Sequence, residues 1–412
     1  MNQTLQRLAL DSTLAVLIFA VAVGCACVLD LLLNWLGGYF KLAANPATSK
    51  LAPLEGLRGV LAISVAAHHA CCWYFFSQSG IWSTGGSVIF ARLAGFGVMQ
   101  FFFISGFLFW RKSIKQGKIP LCNFYLSRLV RITPTYYVCI AIALLIGLVS
   151  NGLQLQVSWG ALLASLLPWL LFTLSGMPSV NNVDLTRITC GVTWTLALEW
   201  TFYLSLPLLG WFCRKTIRLF HYAFLFGALY LAGWYLRLPV VHLEHLQNTG
   251  FFIDGFAKFM LIGFGGGILI AQLELRLQSW LRFLLPWRNW MLLGLYITYL
   301  CSPGMLVLDE VLLLTGFTLV VQGADIFGFL ASRPVRLLGR ISYPVYLVHG
   351  LVYYVAMKLR GGTYAVEIYS YSVETAVCLA VILLLATMIH LSIEQPSIKL
   401  SESFARRAWS SN

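Results

Sequence analysis

From Leu14 to Leu36 the sequence runs for 23 residues with one charged side chain, Asp30, and apolar runs of similar length recur almost to the C-terminus. A helix of about 20 such residues matches the roughly 30 Å hydrocarbon layer of a bilayer. Inside that layer every backbone amide and carbonyl must be satisfied within the protein, which leaves helices or a closed barrel. With runs of this length, the expected fold class is all-α: a polytopic transmembrane helix bundle.

Composition agrees. Hydrophobic residues make up 59% of the chain and charged residues 10%, with a mean hydropathy of +0.80. Water-soluble globules carry about 25% charged residues, so a soluble enzyme is excluded. The net charge of +13 does not indicate nucleic acid, because the basic residues fall in short clusters between apolar runs, the pattern that orients membrane proteins. The cysteines sit mostly within apolar segments without a CxxC pair, so they are expected as small core residues rather than a disulfide framework.

The charge clusters fix an expected topology. The run at 14–36 is too long for a signal-peptide core and is expected to be retained. Lys41, Lys50 and Arg58 after it place residues 41–58 in the cytoplasm and the N-terminus outside. Core spans follow near 54–76, 91–111, 131–150, 193–213, 219–236, 254–272, 289–302, 308–326, 341–358 and 373–394. The apolar stretch 160–176, interrupted by Pro168, fits no crossing and is expected to be interfacial or re-entrant. This gives ten core spans plus one extra N-terminal span, with 21 of the 28 lysines and arginines on the cytoplasmic side. The expected divisions are an N-terminal span and linker over 1–50, a membrane domain over 51–400 and a cytoplasmic tail over 401–412.

Four constellations carry chemistry. In EGLRGVLAISVAAHHACCW (residues 55–73), Arg58 and His69 are eleven apart, so they share a helix face about 16 Å apart along the axis. That puts Arg58 at a membrane surface and His69 near mid-bilayer, where an ionisable side chain normally faces a partner, a cavity or a substrate path. His68 points about 100° away. In SRLVRITPTYY (127–137), Arg128 and Arg131 share a face at the expected cytoplasmic mouth of a span, with Pro134 in its first turn. Such a pair suits phosphates, either of a substrate or of lipid headgroups. In VTWTLALEWTFYL (192–204), Glu199 is a carboxylate within a span, either paired structurally, to Arg92 or Arg187, or orienting a base. LGRISYPVYLVHG (338–350) carries Arg340 at the inner edge and His349 nine residues deeper, and FFFISGFL places the small pair Ser105-Gly106 mid-helix, where another backbone can approach. IEQPS sets Glu394 at the inner end of the last span, expected as a salt-bridge partner.

Taken in order, EGLRGV with its Arg58-x10-His69 pair, FFFISGFL, RLVRITPTYY, WTLALEWTFYL, LGRISYPVYLVH and SIEQP resemble the acyltransferase-3 family of integral membrane acyltransferases over about residues 50–400. The pattern departs at Glu55, where the family usually has Asp, at Trp200, where a second acid is common, and at Gly350, where Trp is usual. The extracytoplasmic hydrolase-like domain of some relatives is not expected.

The resemblance implies a multi-pass enzyme of the bacterial inner membrane that O-acylates cell-surface or exported glycans. Joined to the residue reading, it gives the following expectation. Acyl-CoA, with acetyl-CoA favoured, docks its phosphates on Arg58, Arg128 and Arg131, and its thioester extends towards His69. His69 acts as general base on an acceptor hydroxyl or accepts the acyl group itself, and Glu199 fixes its tautomer. No metal is expected. The acceptor is a glycan or lipid-linked saccharide, and membrane lipids and envelope glycan-synthesis proteins are the other expected partners. Two other classes fit the hydropathy: a secondary transporter or glycan flippase, and a scaffold for envelope enzymes.

Overall fold

A computed structural model describes residues 2–35, 51–116, 121–212, 258–280, 282–304, 306–361 and 367–410. The described residues are helical, with one isolated bridge between Val180 and Val183 and no named strand. The all-α expectation therefore holds. In chain order the helices are α1 (Asn2–Trp35), α2 (Ala52–Ser79), α3 (Val88–Gln116), α4 (Leu121–Ser150), α5 (Trp159–Leu170), α6 (Leu185–Ile188), α7 (Trp194–Phe212), α8 (Gly265–Trp280), α9 (Arg288–Cys301), α10 (Leu306–Val321), α11 (Arg333–Arg340), α12 (Ser342–Leu359), α13 (Ile368–Ile389) and α14 (Gln395–Ser410). Among the described residues five segments are long and apolar enough to cross a membrane: Asp11–Leu33, Ala52–Ser79, Val88–Ile114, Asn123–Ser150 and Ile368–Ser403. The span expected near 219–236 lies outside the described residues.

The helices form two compact units, Met1–Phe101 with Leu273–Leu391, and Phe102–Gln272 with Ser392–Asn412. The first is built around α2. Pro53 in its first turn is free of the need for an N–H donor, Glu55 complements the helix dipole, and Gly80 ends it in the left-handed conformation with its N–H bonded to the Phe76 carbonyl. In the membrane-length window of α2, 72% of residues are buried against 11% for α1, so α2 is the central helix and α1 a peripheral one.

The start of α2 is locked to α11, a short charged helix that hydropathy does not reveal. A methyl group at Gly56 would meet the Leu330 carbonyl, and one at Gly339 would meet the Glu55 carbonyl. The glycines of EGLRG and LLGR thus let two backbones touch. Glu55 then accepts from both Arg336 Nε at 2.7 Å and Arg340 Nε at 2.8 Å. On the neighbouring helices, Arg92 bonds Asp309 at 2.7 Å and the Ser302 carbonyl at 3.0 Å, while Gln100 donates to Tyr296 and to the Leu313 carbonyl. Arg92 is therefore committed to Asp309 and is not a partner for Glu199.

In the second unit, the Ser105-Gly106 pair does admit a backbone: a methyl at Gly106 would meet the Phe264 carbonyl, at the end of a π-helical turn over Lys258–Phe264. Helix α4 corrects an expectation, because it begins at Leu121 and not near 131, so Pro134 lies in its interior. The expected non-crossing segment is found as α5, whose 12 residues reach only about 18 Å. Ser158 caps it by accepting from the Ala161 amide. Tyr136 and Tyr137 of α4 donate to the carbonyls of Trp169 and Leu170 at its far end, at 2.7 and 2.8 Å.

Gly339→Ala is expected to destabilise the protein by about 2 kcal/mol, since the methyl must displace backbone rather than a side-chain tip. Glu55→Ala, which takes the carboxylate away from Arg340 and the buried Arg336, should cost roughly 3 kcal/mol. Thermal unfolding of the purified protein in lipid nanodiscs checks both, and an unchanged midpoint for Gly339→Ala would refute the backbone contact.

Candidate active site

Arg58 and His69 lie on one unbroken helix, α2, so their shared face and separation of about 16 Å hold. The two adjacent histidines have different environments. His68 Nδ1 lies 2.8 Å from the Phe90 carbonyl, and its Nε2 lies 3.5 Å from Cys72 Sγ. Both nitrogens are engaged in tying α2 to α3 and to its own next turn, which makes His68 a packing residue.

His69 meets His349 of α12. Its Nδ1 is 2.9 Å from His349 Nε2, and the two rings stack with centroids 5.1 Å apart. His349 is fully buried and His69 is 9% exposed. The other His349 nitrogen, Nδ1, lies 3.1 Å from the Val345 carbonyl one turn back on α12.

These contacts fix the protons. A carbonyl oxygen only accepts, so His349 Nδ1 carries hydrogen and donates to Val345. Neither ring has a carboxylate among its hydrogen-bond partners in the described residues, and a buried imidazolium without one is costly, so His349 is neutral with its lone pair on Nε2. His69 must then donate from Nδ1 to that lone pair. Its own Nε2 is left as an acceptor. Such a nitrogen can take a proton from a hydroxyl or attack an activated acyl group.

Glu199, expected to orient His69, is bonded instead to Tyr203 one turn along α7, whose hydroxyl donates to its Oε1. The Arg128 guanidinium lies beside Tyr203 and sits 4.7 Å from the Phe109 ring centroid and 5.8 Å from that of Phe124. Arg128, Tyr203 and Glu199 form a cluster in which the buried phenol sits beside a half-buried cation and a half-buried carboxylate. Because α4 starts at Leu121, Arg128 lies within the helix rather than ahead of it; Arg128 and Arg131, three residues on, are both half-buried. Arg187, the other partner considered for Glu199, pairs with Asp184 at 3.8 Å.

The His69–His349 pairing was accessible in principle. His69 lies eleven residues beyond Arg58 and His349 nine beyond Arg340, so both rings sit at a similar depth from basic residues of the same expected side. Tyr203 gave no comparable signal, being one aromatic in an aromatic-rich span.

A family model described as an acyltransferase domain matches residues 51–391. The chain belongs to the acyltransferase-3 family. The matched range begins one residue before α2 and leaves α1 outside it. The chain is also similar to nodulation protein 10 of Rhizobium leguminosarum bv. viciae, with 26% identity over 367 residues that cover 82% of this chain and 93% of that protein. No solved structure matches. This acyltransferase-3 chain is thus an acyltransferase on a membrane-helix scaffold, with its Arg-x10-His motif on the most central helix and the motif histidine bonded to a second histidine.

Tyr203→Phe removes the hydroxyl that donates to Glu199. It is expected to lower stability by about 1 kcal/mol, read from thermal unfolding, because the half-buried Glu199 loses its hydroxyl donor. A variant as stable as the parent would show that this bond contributes nothing.

Proposed function

We propose that this protein is a membrane O-acyltransferase of the bacterial cytoplasmic membrane, moving an acyl group from cytoplasmic acyl-CoA to a hydroxyl of a cell-surface or exported glycan. Acetyl-CoA is the proposed donor. The observation that carries this reading is the His69–His349 bond, which leaves the buried Nε2 of the motif histidine as a proton acceptor.

In the proposed reaction, His69 Nε2 takes the proton of the acceptor hydroxyl as the oxygen attacks the thioester carbonyl. The C–O bond forms, the C–S bond breaks, and the CoA thiolate receives the proton from His69. His349 is a positioning residue: it holds the tautomer and stabilises the imidazolium that forms transiently. The donor's phosphates are assigned to arginines, Arg58 at the other end of the motif and the α4 pair Arg128 and Arg131. About 16 Å between Arg58 and His69 is comparable with the span of a pantetheine arm. Envelope glycan-synthesis proteins are the proposed suppliers of the acceptor.

His69→Ala should lower acetyl transfer from radiolabelled acetyl-CoA to membrane glycan by about 10³-fold while membrane insertion is retained. His349→Gln should cost about 10- to 100-fold and shift the pH–rate profile, which a purely structural residue would not do. Full activity in His69→Ala would remove the imidazole from the chemistry.

A further inference from the structure

Residues 80–87 join α2 to α3 in a short turn in which Gly80, Gly85 and Gly86 hold φ of +72°, +58° and +81°. The Gly85 position has no room for a side chain, since a methyl there would run into the Phe75 ring. Trp82 sits on this turn. Its ring centroid is 6.2 Å from that of His69, tilted by 35°, and it packs edge-on against Trp73 at 5.0 Å and Phe76 at 6.0 Å. Despite these contacts Trp82 is 40% exposed. The described rings beside His69 are those of His68, His349 and Trp82, and of these only the indole is an exposed surface.

A tryptophan at the end of a membrane helix commonly anchors it among lipid headgroups. That role does not call for an indole laid beside a buried imidazole and fixed from behind by two further aromatics. A flat, rigid, electron-rich face next to a general base is suited to a flat acceptor whose rim carries the reacting hydroxyl. A pyranose has that form, with C–H bonds on its face and hydroxyls around its edge. A linear lipid alcohol gains nothing from planarity.

We propose that Trp82 is the acceptor platform: a pyranose ring of the acceptor rests on the exposed part of the indole, which presents one ring hydroxyl to His69 Nε2. This rests on the acyl-transfer reading above, with its glycan acceptor, and adds the residue that holds and selects the acceptor ring. The platform also shields the reacting hydroxyl from water, which would otherwise compete for the acyl group.

The test uses the full chain in lipid nanodiscs, acetyl-CoA as donor, and two kinds of acceptor: 4-nitrophenyl pyranosides of glucose, galactose, N-acetylglucosamine and rhamnose, and the ring-free alcohol 1-decanol. Transfer is read as acetylated product, and CoA release without acceptor reports hydrolysis. In Trp82→Ala and Trp82→Leu, KM for an accepted pyranoside should rise about tenfold with kcat within about threefold, and Trp82→Phe should restore KM. Hydrolysis should not fall in any variant. The platform is overturned if Leu serves as well as Phe, if KM does not move, if 1-decanol is accepted as well as the sugars, or if the parent hydrolyses acetyl-CoA but acetylates no pyranoside. A parent enzyme that releases no CoA under any condition would instead overturn the acyl-transfer reading itself.

Discussion

Among apolar helices there is no water to satisfy a stray donor or acceptor, so each polar side chain placed there must find its complement within the protein. In the first unit that requirement is met pair by pair, by Glu55 with two arginines, Arg92 with Asp309 and Ser302, Gln100 with Tyr296, His68 with the Phe90 carbonyl, and His69 with His349. Each pair joins α2 or α3 to another helix. Together they specify which helices are neighbours and in what register, a task that apolar packing, indifferent to rotation, performs poorly. The price is paid in desolvation, and it is recovered only because almost every partner is present.

Central placement of α2 follows from the same economy of space. Its glycines remove the side chains that would hold α11 at a normal interhelical distance, and the carboxylate of Glu55 closes the gap left at the rim. A helix clamped at one end and capped by Gly80 at the other carries Arg58 and His69 as a rigid ruler. Position along it is then set by backbone rise alone, which is why a spacing motif can be functional at all.

Much of this could be read from the sequence, for identifiable reasons. Long apolar runs marked the helices because hydrocarbon thickness imposes their length, and the position of Pro168 in a run without a consistent crossing marked α5. The start of α4 reads late in the sequence because the charges of Arg128 and Arg131 seem to bound the apolar span, whereas the helix runs back past them to Leu121 and holds Pro134 in its interior. Helix α11 is too charged to register in hydropathy, yet it supplies both arginines that hold Glu55. The motif histidine was legible from depth and phase, but its partner lay 280 residues away, and Glu199, the acid that chemistry would suggest, is engaged with Tyr203. Local spacing cannot decide between two distant candidates when both lie within spans. Trp82 was invisible for a different reason, since a single aromatic on a turn has no periodicity to betray its role.

The bond from His349 Nδ1 to the carbonyl of its own preceding turn has one more implication. A backbone carbonyl cannot hand a hydrogen onward, so the chain of imidazoles is a cul-de-sac. A proton reaching His69 therefore has no onward route through His349. On the proposed mechanism, proton exchange at His69 is local give-and-take between the two substrates.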